Sequence, residues 1–357
     1  MNYEGYYFNP LLLIVMAGAK AACLDQYQVE LSAPAVEQSG DLYLKSSDLN
    51  RILATTGLKA PVLEEDKKYT VAAVFAALGC SIQKIGPVHV VLLQGQAEIP
   101  EEAELKKWLN QEKYAKGDYF GTYWHSGMKR LASYRVYLPE SYNPEKKNPM
   151  IMGLHGGGGN PNNIFKNSKE KIKKYAEKGG YILVAPDGST NNSTYGCVVP
   201  PFGMLKNAAP AADPENPANL NETELAAVHQ GQVGLDLVMD LMRKEYSLDE
   251  GHLYLIGNSM GGMGTLYYAS QNPGLFRKIC PQGAIPDMNY FDCSGLKKQQ
   301  ILFVAGEKDS HGVEWLREGC RMMKEQGVPV IYREVKNGTH SSAWVDVLDE
   351  IFKYLEQ

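Results

Sequence analysis

The chain has 357 residues, 44% hydrophobic and 22% charged, a globular mixture that excludes disordered, collagenous and coiled-coil architectures. At about 150 residues per domain, this length predicts two domains, or one large one with an appendage. With 36 Lys+Arg against 41 Asp+Glu the formal charge is -5, which leaves no cationic excess to neutralise a phosphate backbone and argues against a nucleic-acid partner.

In chain order, residues 11–22 come first, a short, mostly apolar run closing on Ala19-Lys20-Ala21, the small-x-small pattern of a signal-peptidase site. The run is too short to cross a bilayer. It predicts a leader over residues 1–24 and a secreted or cell-envelope protein, although residues 1–10 carry Glu4 and no Lys or Arg where a leader is positively charged. The alternative is an ordinary buried segment. No other stretch approaches the roughly 18 apolar residues of a membrane span.

Residues 25–110 read as small alternating elements: a strand at 41–44, a capped helix at 47–54, a helix at 70–78 and an apolar strand at 88–93. Leu42-Tyr43-Leu44 through Ile52 aligns with Lys68-Tyr69-Thr70 through Leu78, which points to an internal duplication. The piece resembles the small repeats at the N-terminus of copper amine oxidases and in secreted bacterial wall proteins. There a strand leads into a short helix ending in Leu-Gly, as Ala77-Leu78-Gly79-Cys80 does here. The resemblance implies an accessory module, without copper ligands, that contacts a wall or polysaccharide. The charged stretch 101–116 reads as a solvated connector, dividing a small α+β domain at 25–110 from a second domain at 117–357.

The second domain alternates strands at 134–138, 150–155, 181–185, 252–257, 278–280, 301–305 and 330–335 with helices that include 222–246, capped by Asn221, and 260–271. That pattern predicts an α/β fold with a mainly parallel sheet. The six cysteines include no C-x-x-C pair and no histidine at zinc-finger spacing, so they read as buried thiols or a few disulfides, Cys280–Cys293 being the pair close enough to close a short loop. No metal site is expected.

The sharpest chemical signal is Gly257-Asn258-Ser259-Met260-Gly261, a G-x-S-x-G placed directly after a strand and before a helix. A nucleophile elbow needs small residues on both sides to hold its serine on a strained strand-to-helix turn, and it aims the next residue's N–H at a developing oxyanion. His155-Gly156-Gly157-Gly158-Gly159 follows an earlier strand and supplies a backbone that a substrate oxygen can approach. Gly157 and Met260 are the expected oxyanion donors, with His155 bracing the loop. Two histidines follow the serine, His311 and His340. In the chain order Ser, acid, His, Asp309 at the end of a strand is the orienting acid and His340 the base; Glu307 and His311 are the alternatives. Such a base must be neutral, so activity is expected to rise with pH through the ordinary imidazole range.

With these pieces in view, residues from about 117 to the end resemble the α/β-hydrolase fold, specifically carboxylesterases of the feruloyl esterase and polyhydroxybutyrate depolymerase type. Tyr134-Arg-Val-Tyr-Leu-Pro, the His-Gly-Gly-Gly-Gly loop, Tyr181-Ile-Leu-Val-Ala-Pro-Asp-Gly, Gly257-Asn-Ser-Met-Gly-Gly-Met-Gly and Gly306-Glu-Lys-Asp carry the likeness. Asn258 stands where these enzymes often have His, and Thr339-His340-Ser341 replaces a glycine-flanked histidine. The resemblance implies a cofactor-free serine esterase acting on feruloyl or acetyl esters of plant polysaccharide. Residues 189–219, long for an ordinary loop, read as a lid in which Tyr195, Phe202 and Met204 wall the acyl group. Trp315 and Trp344 either line the site or pack in the core. The rival readings are a peptidase of the prolyl oligopeptidase type and a non-catalytic wall-binding protein.

Overall fold

A computed structural model describes residues 8–94, 97–190, 193–203, 213 and 215–357. Contacts divide the chain between Arg135 and Val136.

The apolar run at 11–22 folds as β1 (Leu12–Met16) and the start of β2 (Ala21–Leu24). After them come β3 (Tyr27–Glu30), β4 (Val36–Gln38), β5 (Asp41–Lys45), α1 (Ser46–Thr56), β6 (Lys68–Thr70), α2 (Val71–Ala77), β7 (Ser81–Ile85), β8 (Val88–Leu92), α3 (Glu102–Leu109) and β9 (Gly117–His125). The main sheet of this N-terminal unit has the order β9-β3-β2-β1-β8-β7, and β4-β5-β6 form a small second sheet. Leu13, Ile14, Val15 and Leu24 are fully buried, each worth about 1.5–3 kcal/mol. The run taken for a leader is therefore apolar because it lies at the centre of a sheet, and 12–24 belongs to the fold.

The two aligned pieces are β5 running into α1 and β6 running into α2, and the two strands pair antiparallel with Leu44 opposite Tyr69. Each helix is followed by a left-handed glycine, Gly57 or Gly79. The charged stretch at 101–116 is not a connector. Its helix α3 buries Leu105 and Leu109 against Leu12, Ile14, Val88 and Val90, an apolar stripe that the surrounding Glu and Lys residues disguise in sequence. The chain leaves the unit inside β10 (Arg130–Leu138) instead.

The C-terminal unit continues with β11 (Asn148–Leu154), α4 (Asn163–Asn167), α5 (Lys171–Gly179), β12 (Ile182–Pro186), α6 (Glu222–Glu245), β13 (Leu248–Asn258), α7 (Met260–Gln271), β14 (Lys278–Gln282), β15 (Gln300–Lys308), α8 (Val313–Glu325), β16 (Val330–Thr339), α9 (Ala343–Asp346) and α10 (Leu348–Glu356). Its strands stand in the order β12-β11-β13-β14-β15-β16, and every adjacent pair is parallel. With helices alternating between the strands, this is the α/β-hydrolase architecture. Asn221 caps α6 in a reciprocal box with Glu224. Cys280 and Cys293 are free and buried, like three of the other cysteines, and the Cys293 thiol donates to Gln326 Oε1 instead of bonding Cys280.

All these strands end at the same edge of the sheet. From β11 the chain goes first to β12 on one side and then to β13 on the other, so the order reverses between β11 and β13. In open parallel sheets the crevice outside such a reversal is where ligands bind.

Candidate active site

Both glycine-rich motifs open at that reversal, residues 156–159 after β11 and Ser259 after β13. Ser259 has φ 56° and ψ -121°, a left-handed backbone that costs a non-glycine residue about 1–3 kcal/mol. The turn is held by the Ser259 N–H donating to Gln282 O at 2.8 Å and by Ser259 O accepting from Gly262 N at 2.7 Å. Its flanking glycines are dictated by contact. A Cβ at Gly257 would stand 2.2 Å from the Gly261 carbonyl oxygen, and one at Gly261 would stand 2.2 Å from that of Leu154. Met260 begins α7 directly after the serine, and Gly157 lines a cavity of about 190 Å³ together with Ser259, Asn258, Asn163, Asn167 and His340.

The loop after β11 is braced from behind. The Gly188 N–H donates to His155 Nε2 at 3.1 Å, so the ring proton sits on Nδ1, which donates to Gly156 O at 2.8 Å. Burial pushes the His155 imidazole down to about 4, which keeps it neutral. The Tyr195 hydroxyl accepts from the His155 N–H at 3.1 Å, and Tyr195 itself is fully buried, against Gly231 of α6 and Gly264 of α7. Tyr195 is thus a brace under the loop and not the wall of a lid, and residues 193–199 are largely buried with it. Phe202 is half-buried, hangs from the Ile285 carbonyl through its N–H, and packs on Trp315 with ring centroids 5.4 Å apart. Met204 lies outside the described residues. Trp344 is 1% exposed in a core with Val335, Ile351 and Phe352, so it packs the fold and does not face substrate.

Asp309 and His340 meet at the ends of β15 and β16. His340 Nδ1 lies 3.0 and 2.9 Å from the two Asp309 oxygens, with the carboxylate 0% and the imidazole 15% exposed. Burial alone would raise the Asp309 carboxyl. Hydrogen bonds from His340 and from the His311 N–H, with the favourable electrostatics of the two neighbouring rings, outweigh it and hold the group below the ordinary carboxylate value. An ionised Asp309 fixes the proton on Nδ1 and leaves the lone pair on Nε2. That atom is buried and has no partner among the described residues, in the wall of the cavity that Ser259 also lines. Glu307, the alternative acid, is exposed and accepts from the Asn337 N–H at 2.7 Å, which makes it a brace of the following strand. His311 has a side chain 60% exposed, its Nδ1 3.5 Å from Asp309, a looser approach than that of His340.

One residue of this site has no motif to announce it. Gly283, just past β14, has φ +61° and sits so close to the pair that a Cβ there would lie 3.2 Å from His340 Nδ1 and 3.4 Å from Asp309 Oδ2. A glycine directly after an apolar strand is the sequence signal that could have found it.

Residues 126–355 match the esterase family. The chain belongs to that family. Over 175 residues, 49% of this chain and 21% of the relative, the chain is 26% identical to the bifunctional acetylxylan esterase/xylanase XynS20E of Neocallimastix patriciarum. It thus spans about a fifth of that relative's length. Among solved structures the chain is similar to a ferulic acid esterase (TM-score 0.52, 17% identity, 67% of this chain and 97% of that one). It is also similar to the S-formylglutathione hydrolase FrmB of Staphylococcus aureus (TM-score 0.51, 16% identity, 68% and 99%). At such identities the likeness is one of fold.

Proposed function

We propose that the protein is a serine carboxylesterase with Ser259, His340 and Asp309 as its triad. The observation that carries this reading is the Asp309–His340 pair, whose far nitrogen is buried without a partner on a residue that lines the cavity of a strained serine. Ser259 Oγ attacks the ester carbonyl while His340 Nε2 takes its proton. Asp309 stabilises the imidazolium, and the N–H groups of Gly157 and Met260 receive the developing oxyanion. His340 then returns the proton to the leaving alcohol. Water attacks the acyl-enzyme by the same route and regenerates the serine. The Ser259–His340 hydrogen bond is not formed in the free protein and closes with substrate, as catalytic contacts commonly do.

The acyl group we assign is acetyl or feruloyl on a plant polysaccharide. The acetylxylan esterase relative supports this. The N-terminal unit, where Tyr114 and Trp124 expose their rings, would hold the polymer, and a polymer substrate places the enzyme in the envelope or outside the cell. Retention of full-length Ser259→Ala protein on insoluble xylan tests the first, and cell fractionation the second.

The deciding experiment is hydrolysis of p-nitrophenyl acetate by the wild type and by Ser259→Ala, with circular dichroism to show that both fold. Turnover should fall by roughly 10⁴-fold or more in the variant. Methyl ferulate, acetylated xylan and p-nitroanilides then rank the substrates, and preference for the anilides would replace the esterase reading with a peptidase. Equal turnover in both proteins would remove Ser259 from the mechanism.

A further inference from the structure

His311 has no part in the proposed triad, yet its ring centroid lies 4.1 Å from that of His340. Its Nδ1 is 3.5 Å from Asp309 Oδ1, and the same oxygen is 3.0 Å from His340 Nδ1. The three ligating atoms all fall within 4.8 Å of one another, the one such cluster among the described residues. Zinc bonds of about 2.0–2.1 Å set tetrahedral ligands roughly 3.3 Å apart. Two of the three edges therefore already have the spacing of a zinc site. The third closes by rotation of His311, whose side chain is 60% exposed. Two imidazoles and a carboxylate are a donor set that zinc takes readily, and the open side of His311 leaves a fourth position for water.

We propose that Asp309, His311 and His340 form a site for zinc that switches the esterase off. The site rests on the proposed triad, since it works by capturing the base. Zinc takes the His340 Nδ1 lone pair, and the proton that Nδ1 carried moves to Nε2. The imidazole stays neutral and no proton is lost overall. Nε2 becomes a donor at the point where Ser259 needs an acceptor, and Asp309 is turned from orienting the ring to holding the ion. His311 supplies the third bond and takes no part in ester cleavage. It is the residue that makes the site a chelate, because Asp309 and His340 alone offer two ligands already engaged with each other.

The test uses zinc chloride at buffered free concentrations, with p-nitrophenyl acetate turnover of the wild type and of His311→Ala as one readout. Calorimetric titration of zinc into Ser259→Ala and into the Ser259→Ala/His311→Ala double variant is the other. The wild type should lose activity and regain it with EDTA. His311→Ala should need roughly tenfold more zinc or beyond to lose the same fraction of its own zinc-free rate. Calorimetry should find one zinc per chain, weakened equally by the His311 change. No inhibition, or inhibition of equal strength in both proteins, overturns the site. If neither protein hydrolyses the ester, the triad reading fails by itself, and calorimetry still decides whether the three side chains bind zinc.

Discussion

Each unit of the molecule buries a carboxylate, and the two are put to different ends. Asp48 in the N-terminal unit and Asp309 in the C-terminal unit have side chains 1% and 0% exposed. Asp48 accepts from the Ser32 N–H, from Ser32 Oγ at 2.8 Å and from Arg51 at 2.7 Å, and Arg51 also donates to the Glu30 carbonyl at 2.7 Å. Its hydrogen bonds fasten α1 to the segment after β3. Asp309 accepts from a main-chain N–H and from His340, which lines a cavity and whose other nitrogen has no partner among the described residues. Burial therefore marks neither carboxylate as functional. What separates them is what the partner does next: Arg51 carries the bond on to a main-chain carbonyl, whereas His340 lines a cavity and keeps a buried nitrogen without a partner.

The strongest way to break this contrast is to make the same change in both places. Asp309→Asn should lower kcat by about 10⁴-fold, because an amide can hold the wrong tautomer of His340, and should leave the melting temperature within a few degrees. Asp48→Asn should keep the turnover of folded enzyme unchanged and lower the unfolding free energy by about 1–3 kcal/mol. Ester kinetics and urea unfolding on both variants give the answer. A loss of turnover in the Asp48 variant, or pure destabilisation in the Asp309 variant, would dissolve the distinction.

The same logic applies to a histidine of the C-terminal unit. His155 has both ring nitrogens bonded and is held neutral down to about 4. In the unfolded chain an imidazole takes up a proton below about 6.5. Between these values the unfolded state binds more protons than the folded one, so stability falls as the pH drops through that window and is fully present above it. The loss amounts to roughly 3 kcal/mol by pH 4. Urea unfolding of the wild type and His155→Gln at several pH values isolates it, since the carboxylates titrate in both. Parallel stability curves would show that His155 is protonated in the fold and its bracing role misread.

Legibility followed the range of the interactions. The strands and helices of the C-terminal unit, the elbow, the glycine loop and the order Ser259, Asp309, His340 are written in short segments where neighbours in sequence act together, and the structure brings all three side chains to one edge of the sheet. The misreadings all concern burial, which depends on residues far away in sequence. Residues 11–22 are apolar for the sake of β8 and β3, and α3 hides Leu105 and Leu109 among charges. Tyr195 looks like a lid residue until α6 and α7 close over it. The local pattern cannot say which side of a segment another element will cover.

Gly283 offers the finest test, because its demand on sequence is made by two residues distant along the chain. Replacing it with alanine has two effects: strain from a β-carbon at φ +61°, and pressure on His340 Nδ1 and Asp309 from a Cβ at 3.2 and 3.4 Å. Gly274 has φ +83° and nothing within 4 Å of its Cβ position, so Gly274→Ala carries the first effect without the second. Both variants should lose about 1 kcal/mol of stability from the left-handed backbone. Gly283→Ala alone should also lose kcat, by roughly 10- to 100-fold at little change in KM, since a small displacement of a catalytic base costs rate and not binding. Equal kinetics in the two variants would mean that His340 yields to the extra methyl, and that the pair is held by the Asp309 hydrogen bonds and not by the wall of backbone beneath it.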